Sequence, residues 1–389
     1  MRWTPPSIVP ASQCATLVLA DHKACMSLSH LRTKSRRLQA RGGVHMKIKL
    51  LGIDLAKNVF QLCALNQANK VLFNRTVRRV RFCSTIAKLE PTTIAMEACS
   101  SAHYWGRTFE AMGHKVLLVP AQHVTPFVRG GKSDARDALA ICEAAQRPGL
   151  HPVPIKSIEQ QDIQLLHRLR QRQVQHSTAL ANQIRSLGRE YGVIFPAGIK
   201  SLISQLPETL EDGSNELSPV ARYALADQHR CLLEVRQAMA TFLHQIEQLA
   251  AQHPAYINLL PLPGIGPMIA SAYIAAIGNG RQFKCGRQVS AWLGLVPRQY
   301  GTGGKIQLKG MTKNGDRYLR TLMIHGARAV INRGLKNRPE LAQWVQPIID
   351  RQGFNKAVVA LANKMTRICW VIVTTGEAFD MKQAFKPVA

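Results

Sequence analysis

The run Ile48-Lys49-Leu50-Leu51-Gly52-Ile53-Asp54 decides how the first half of the chain folds. It is short, rich in Ile and Leu, and followed by the turn Ala56-Lys57-Asn58, so it predicts a buried β-strand that ends at an aspartate. Two more strand candidates follow, Val59–Leu65 and Lys70–Val77, with the polar stretch Asn66–Asn69 between them. The sheet therefore opens with three strands joined by tight turns.

Helices and strands alternate after this point. The pattern predicts, in chain order, a helix at Phe82–Leu89, a strand at Thr92–Met96, a helix at Ser101–Met112, a strand at Lys115–Val119 and a helix at Ser133–Gln146. Together with the first three strands, this order predicts an α/β domain with a mixed sheet and helices on its faces. It is the element order of the ribonuclease H-like fold.

Four carboxylates stand at the ends of these elements. Asp54 ends the first strand and Glu97 the fourth, whereas Asp134 and Asp137 share one face of the last helix at its first turn. Each has an ordinary structural explanation as a helix cap or strand end. In a chain with 23 Asp+Glu among 389 residues, a shared task explains all four better. Oxygen ligands without His or Cys favour Mg²⁺ or Mn²⁺, and two such ions can promote phosphodiester cleavage.

The charge of the whole chain indicates a polyanionic partner. There are 51 Lys+Arg against 23 Asp+Glu, which gives a net charge of +28. Because charged residues are only 19% of the chain, this surplus comes mainly from a shortage of acids. Nucleic acid is the partner that such a composition favours.

Composition also excludes several classes of protein. A hydrophobic content of 46% excludes disorder throughout, and the nine scattered cysteines, without any Cys-x-x-Cys, argue against a disulfide framework or a zinc site and favour a reducing cytosol. The uncharged stretch Ile257–Gly278 contains Pro261, Pro263 and Pro267, which would break a spanning helix. We therefore expect no membrane segment.

The middle of the chain predicts long helices. Apolar residues recur at helical spacing in Ile158–Tyr191, with arginines between them, and Leu225–Ala251 continues the pattern. Such a pair would cross between two globular parts and either mediate dimerisation or present a basic face to nucleic acid; a solvated basic helix is the plainer alternative. Pro196–Glu216, with Gly213-Ser214-Asn215, is predicted to be a loop.

Further motifs follow this helical region. Leu262-Pro263-Gly264-Ile265-Gly266-Pro267 precedes an apolar helix and resembles a helix-hairpin-helix element, in which Gly264 and Gly266 would offer backbone N–H groups to a phosphate. Any Gly/Pro-rich loop before a buried helix has a similar sequence, so this motif alone is weak evidence for a helix-hairpin-helix element. Next come Trp292–Gln299, Gly303-Gly304-Lys305, Thr312–Asp316 and Tyr318-Leu319-Arg320.

These motifs together resemble a known family. Gly52–Lys57, Met96-Glu97-Ala98, Lys132–Ala138 and the C-terminal motifs resemble the Asp-Glu-Asp-Asp transposases of bacterial insertion sequences, in particular the 1111 subgroup of the insertion-sequence 110 group. The N-terminal domain of that family is similar to the RuvC Holliday-junction resolvase. The resemblance runs from Met46 to about residue 375.

The resemblance implies a function. A bacterial, cytoplasmic DNA transposase would cleave and transfer strands of double-stranded DNA, with Mg²⁺ or Mn²⁺ held by the four carboxylates. It would be guided by a structured noncoding RNA and act as a homo-oligomer. Basic residues around the C-terminal motifs would contact phosphates. They are Lys305, Lys313 and Arg320, together with Lys309 and Arg317.

One departure from the family concerns the nucleophile. The family carries a serine just before Gly-Gly-Lys, whereas this chain reads Tyr300-Gly301-Thr302-Gly303-Gly304-Lys305. Either Thr302 supplies the hydroxyl, or the family position is Gly301 and the nucleophile is lost. Two other functions therefore stay open, a resolvase-like nuclease in which water attacks and a decayed transposase that only binds DNA.

The motifs divide the chain into four segments. On this resemblance we expect residues 46–155 to form a RuvC-like catalytic domain, 156–255 a helical linker and 256–389 a mainly α-helical transposase domain. Residues 1–45 are basic, contain one acid, Asp21, and lack helical or strand periodicity. They are either a basic nucleic-acid-binding arm or, as we favour, an extension that precedes the true start at Met46.

Overall fold

The computed structural model describes residues 47–128, 130–131 and 133–385. The segment 1–45 and its two explanations lie outside the described residues, as does Lys132 of the family motif. The chain divides into two compact units, of which the first ends at Ile155 and the second begins at Lys156. Each unit is described separately below.

A five-stranded mixed sheet forms the centre of the first unit. Its strands are β1 (Leu50–Asp54), β2 (Val59–Leu65), β3 (Val71–Arg78), β4 (Thr93–Glu97) and β5 (Lys115–Val119). Their order across the sheet is β3-β2-β1-β4-β5. The pairs β1–β2 and β2–β3 are antiparallel, whereas β1–β4 and β4–β5 are parallel. The predicted mixed sheet is confirmed.

Helices cover both faces of this sheet. They are α1 (Arg79–Ala87), α2 (Ala102–Ala111), the short α3 (Ala121–Val124) and α4 (Asp134–Ala145). Because side chains alternate along a strand, Leu51 and Ile53 of β1 face α1 and α2, whereas Leu50 faces α4. The first face is closed by aromatic rings, with Phe60 stacked on Phe82 at 4.0 Å between ring centroids.

The second unit is mainly helical. Its helices are α5 (Ile158–Arg189), α6 (Ile199–Glu211), α7 (Pro219–Ala251), α8 (Tyr256–Leu259), α9 (Pro267–Ile277), α10 (Gly286–Trp292), α11 (Arg317–Arg333), α12 (Pro339–Gln352), α13 (Phe354–Thr375) and α14 (Met381–Ala384). A two-stranded hairpin, β6 (Pro297–Thr302) and β7 (Lys305–Met311), stands between α10 and α11.

The long helices α5 and α7 pack along each other, and both also contact α9. Ile163 of α5 and Ala250 of α7 belong to the same apolar core as α9, α11 and α13. The second unit therefore contains both the region predicted as a helical linker and the predicted C-terminal domain.

The prediction of a loop at Pro196–Glu216 is wrong over most of its length. Helix α6 occupies Ile199–Glu211, with Pro207 inside it, and buries Leu202 and Leu206 completely. These two leucines are four residues apart and join a small core with Ile184 and Leu225 of the long helices. Burial of this apolar stripe outweighs the local signal from the proline.

Helix α13 is long and apolar enough to cross a membrane by composition alone. Its buried residues, which include Leu361, Met365 and Cys369, form the centre of the core of the second unit. The helix packs against α10, α11 and α12. Its composition therefore matches its position as a core helix.

Candidate active site and nucleic-acid interface

Three of the four predicted carboxylates meet at one edge of the sheet. Asp54 ends β1, and Asp134 and Asp137 lie in the first turn of α4, which packs on β1. One oxygen atom from each of them lies within 4.8 Å of the others. Asp134 is exposed, whereas Asp54 and Asp137 are half-buried, so the cluster opens to solvent.

Glu97 lies beside this cluster without joining it. Ile53 of β1 pairs with Met96 of the parallel strand β4, so Asp54 and Glu97 follow at the same ends of adjacent strands. The alternation along β4 directs Met96 to the α1–α2 face and Glu97 to the α4 face, as for Asp54. The Glu97 oxygens nevertheless fall outside the group of three within 4.8 Å.

Gly52 lets α4 approach the sheet. A Cβ atom added at Gly52 would lie 2.5 Å from the carbonyl oxygen of Ala138 and would also collide with Cys142 Sγ. Any larger residue would therefore push α4 away from β1. The helix is further held by Cys142, whose thiol donates to the carbonyl of Cys63 at 3.5 Å.

A polar clamp fixes the first turn of α4. Gln61 of β2, which is opposite Asp54 in register and 6% exposed, donates from its amide to Asn74 Oδ1 at 2.5 Å. Asn74 of β3 donates in turn to the carbonyl of Ala135 at 2.8 Å. Ala135, whose carbonyl accepts this hydrogen bond, lies between the two aspartates of α4. Sequence reasoning missed both clamp residues, because their roles depend on register across three strands.

The three carboxylates fit a hard divalent cation. Mg²⁺ binds oxygen at about 2.0–2.1 Å, so two ligands on opposite sides of one ion are about 4.2 Å apart. Oxygens that already lie within 4.8 Å of one another need only small side-chain adjustments to reach that separation. Like charges this close also repel one another, and a cation would relieve that repulsion.

Thr302 lies at the tip of the hairpin. Thr302 and Lys305 form the last pair of β6 and β7, and Gly303 and Gly304 make the two-residue turn between them with φ of 58° and 79°. Positive φ at both turn residues is typical of a type I′ turn, which explains the two glycines structurally. Thr302 itself is exposed.

The two faces of the hairpin differ in chemistry. Thr302 pairs with Lys305 and Tyr300 with Gln307, so these residues share one face, where the Lys309 ammonium also lies 5.0 Å from the centre of the Tyr300 ring. The opposite face carries Ile306 and Leu308, which are 63% and 69% exposed. The hydroxyl therefore lies on the basic, aromatic face.

The base of the hairpin is tied to the core by close backbone contacts. Gly294 and Gly315 have positive φ, and a Cβ atom at Gly294 would lie 2.7 Å from the carbonyl of Asn314. The Thr312 N–H donates to the carbonyl of Val296 at 2.9 Å. Asp316 caps α11 by accepting from the N–H groups of Tyr318 and Leu319 at 2.8 and 3.0 Å.

The position of Arg320 corrects its predicted role as a phosphate contact. Arg320 is 7% exposed, and its guanidinium donates to the carbonyls of Leu293 and Asn314 at 3.2 and 2.5 Å. Burial lowers the pKa of this guanidinium. Arg320 therefore fixes the base of the hairpin from inside, whereas Lys305 and Lys313 are exposed and available to an anion.

The two glycines of the predicted phosphate-binding loop differ. A Cβ atom at Gly264 would lie 2.8 Å from the carbonyl of Gly326, so Gly264 serves the packing of this loop on α11. Gly266 is exposed and meets nothing within 4 Å at the start of α9. Because α8 before the loop is a single turn, the helix-hairpin-helix element stays a prediction.

A buried histidine joins three helices near Asp316. His167 of α5 hydrogen-bonds through its two ring nitrogens to Tyr318 Oη and Ser271 Oγ, each at 3.0 Å. It is 2% exposed, and burial lowers the pKa of His167 to about 4. The neutral imidazole therefore links α5 to α9 and α11, a structural role that sequence reasoning did not foresee.

Comparisons with known proteins identify the family of this chain. Residues 51–192 match the model of a transposase family named for the Asp-Glu-Asp-Asp motif and IS110, and residues 257–343 match that of the transposase IS116/IS110/IS902 family. The chain is 42% identical over 336 residues to a Pseudomonas aeruginosa protein named "Probable family 20 transposase", which covers 85% of this chain and 98% of that protein.

Two other relatives come from named insertion sequences. The transposase for insertion sequence element IS1111A of Coxiella burnetii is 40% identical over 333 residues, covering 85% of this chain and 91% of the relative. The transposase for IS1328 of Yersinia enterocolitica is 35% identical over 340 residues, covering 86% and 99%. The chain therefore belongs to the IS110 family of Asp-Glu-Asp-Asp transposases and is a DNA transposase.

Proposed function

We propose that this transposase cleaves and transfers DNA strands of an insertion sequence with Mg²⁺ or Mn²⁺ held by Asp54, Asp134 and Asp137. The observation that carries the proposal is the group of three carboxylates within 4.8 Å of one another. Glu97, at the end of the adjacent strand and on the same face, completes the set. In this proposal the first unit is a RuvC-like domain.

The residues of the first unit provide a rigid negative site for the reaction. When bound, Mg²⁺ or Mn²⁺ would polarise the scissile phosphate and neutralise the charge that develops on it. The aspartates orient this site because the clamp of Gln61 and Asn74 fixes the first turn of α4. Gly52 keeps the helix close enough for Asp54 to take part.

Thr302 is the proposed nucleophile. Its Oγ1 would form a bond to phosphorus while the bond from phosphorus to the leaving ribose oxygen breaks, the hydroxyl giving up its proton to solvent and the leaving oxygen taking one up. The exposed tip of the hairpin and the small residues on both sides of Thr302 allow a phosphate to approach. Lys305, its cross-strand neighbour, supplies a positive charge beside it.

A second candidate is a nuclease in which water attacks instead. It is favoured by the absence of the family serine, since Gly301 and Thr302 occupy the two positions before Gly303. Trapping a covalent protein–DNA adduct on a strand-nicked substrate separates the two candidates. Only the transposase that attacks through its own hydroxyl forms one.

Nucleic-acid binding rests on charge. With a net charge of +28, the chain favours polyanions, and Lys305, Lys309 and Lys313 are exposed on and beside the hairpin. Gly266 is the loop residue open to a phosphate. A structured noncoding RNA as guide, a homo-oligomeric assembly and a bacterial cytoplasmic location are carried by the family resemblance alone.

The test of the metal site is Asp134→Asn, with Glu143→Gln on the same helix as its matched control. We expect Asp134→Asn to lower metal-dependent cleavage by more than about 100-fold, since even outer partners of metal sites contribute 10–100-fold. DNA binding measured without divalent metal should stay intact, because no basic contact is removed. Cleavage by Asp134→Asn at the rate of the wild type would overturn the assignment.

A further inference from the structure

A run of arginines follows the outer strand of the sheet. The segment Asn74-Arg75-Thr76-Val77-Arg78-Arg79-Val80-Arg81 contains four arginines, and no Asp or Glu occurs from Val71 to Leu89. It spans the end of β3, which is an edge strand, and the start of α1. An open groove here is lined by Arg75, Arg78 and Arg81, together with Thr76 and Thr85. We call it the β3 groove.

The arginines of the groove are available to a ligand. Arg75, Arg78 and Arg81 are all exposed, and no side-chain hydrogen bond or ion pair to the described residues is formed by Arg78 or Arg81. Arg75 is held over the ring of Phe73, with 4.7 Å from its guanidinium carbon to the ring centroid. A stacked guanidinium is ordered in advance and keeps its N–H edge for phosphate oxygens.

Arg79 differs from the other three. Its guanidinium lies 5.4 Å from the ring centroid of Trp105 and donates to the carbonyl of Lys57 at 3.2 Å. Arg79 therefore belongs to the packing of α1 against the turn after β1. It does not line the groove.

Strand register connects the β3 groove to the acidic cluster, which is the group of Asp54, Asp134 and Asp137. Asp54 of β1 pairs with Gln61 of β2, and Gln61 pairs with Thr76 of β3, so the three residues form one row across the sheet. Neighbouring strands are about 4.8 Å apart, which places Thr76 roughly 10 Å from Asp54 along this row. Arg78 is two residues after Thr76 and so lies on the same face of β3, whereas Arg75 lies on the opposite face with Phe73 and Val77. The β3 groove therefore extends around the outer edge of the sheet, and Thr76 and Arg78 are its residues on the face of the acidic cluster.

We propose that the β3 groove binds the phosphates of the DNA strand that enters the acidic cluster. This inference rests on the proposed function, because it takes the cluster as the place of cleavage. At a rise of about 3.4 Å per nucleotide, a separation of 10 Å spans only a few nucleotides, so one strand reaches both features. The arginines give paired N–H donors for phosphate oxygens, and Thr76 adds a hydroxyl group, whereas the Thr85 hydroxyl donates to the carbonyl of Arg81.

Edge protection is the other explanation of this charge. Charged residues on an outer strand prevent it from pairing with the edge of another sheet. The two explanations differ in the DNA affinity that they predict for variants. Edge protection needs charge but no phosphate contact, so it predicts unchanged DNA binding when the arginines are removed.

The experiment compares the full-length wild type with Arg75→Ala, Arg78→Ala and Arg81→Ala, singly and combined. Binding of a fluorescently labelled DNA duplex is followed by anisotropy over a series of salt concentrations, without divalent metal so that no cleavage intervenes. Each substitution should reduce the slope of log K against log salt by about 0.9, which corresponds to about fivefold weaker binding at 0.15 M salt. The matched control is Lys115→Ala, an exposed cation on the opposite edge strand β5.

The outcomes separate the explanations. Smaller slopes for the arginine variants, with an unchanged slope for Lys115→Ala and recovery in Arg78→Lys, would support the proposal. A combined variant that binds DNA like the wild type overturns it, whether or not that variant aggregates through an exposed edge. Loss of binding to a structured RNA with unchanged binding to DNA overturns it as well.

Failure of the proposed function would look different. In that case the wild type would not cut DNA with Mg²⁺, whatever the salt slopes of the variants. If the wild type does cut, the combined variant should show a raised KM with kcat retained at saturating DNA. A lowered kcat with unchanged KM would contradict a groove that only holds the strand.

Discussion

Replacing Gly52 by alanine tests whether the packing of α4 on β1 creates the metal site. The added Cβ atom would lie 2.5 Å from the carbonyl oxygen of Ala138. Ordinary contacts to a Cβ atom begin at 3.4 Å, so α4 must retreat by 3.4 − 2.5 Å, or about 0.9 Å. The collision is with backbone and with a buried thiol, neither of which can turn away.

The expected cost is that of an overpacked core. Such substitutions destabilise by about 1–3 kcal/mol, and we expect about 2 kcal/mol for Gly52→Ala. For a unit of this size, that corresponds to a fall in Tm of about 10 °C. The same shift would spread the oxygens of Asp54 and Asp137, now within 4.8 Å, beyond the separation that one small cation can bridge.

Two measurements check this chain of reasoning. Scanning calorimetry without metal gives the stability of the unit, and titration calorimetry with Mn²⁺ gives its affinity for the ion. The control is Gly213→Ala, because a Cβ atom at Gly213 would meet nothing within 4 Å. An unchanged Tm for Gly52→Ala would refute the packing argument. A lowered Tm with unchanged Mn²⁺ affinity would refute the link between packing and the site.

Three further predictions concern the second unit. His167 has a folded-state pKa of about 4 against an ordinary 6.5, so the unfolded state binds more protons between these two pH values and the free energy of unfolding falls as the pH drops. Denaturation curves for His167→Phe should lack about 3 kcal/mol of the fall that the wild type shows between pH 7 and pH 4. Thr302→Ala should eliminate the covalent adduct and Thr302→Ser retain it, while rescue by Gly301→Ser alone would assign the nucleophile position to residue 301. Arg320→Ala should cost about 2–3 kcal/mol of stability with an unchanged DNA salt slope, whereas Lys313→Ala should reduce that slope by about 0.9 and leave stability unchanged.

Local sequence patterns were sufficient for most of the first unit. Strands Val59–Leu65 and Lys115–Val119 have the predicted bounds, and the other strands begin or end within two residues of theirs. These strands are short apolar runs between polar turns, so their own sequence determines them. Helix α6 was missed because its stability comes from the burial of Leu202 and Leu206 against other helices, a contact that no local signal reports.

The candidate site was only partly predictable for a similar reason. The proximity of Asp54, Asp134 and Asp137 could be predicted because each stands at the end of a strand or helix, and the fold brings these ends together. The role of Asn74 could not be predicted, because it depends on a hydrogen bond from its side chain to the carbonyl of Ala135, which is 61 residues further along the chain. Arg320 was misassigned because a positive charge among other basic residues indicates a surface, whereas its two carbonyl partners are inside the protein.

A neutral residue separates the acidic cluster from the outer strand of the sheet. Gln61 lies between Asp54 and Thr76 in one row across the sheet, and it donates to Asn74 of β3, the strand that also carries Arg75 and Arg78. A cation bound by the acidic cluster would reduce the repulsion that a phosphate meets there, and a phosphate in the β3 groove would reduce the repulsion between the arginines and that cation. Since coupling between two binding sites is reciprocal, metal affinity and DNA affinity should rise together.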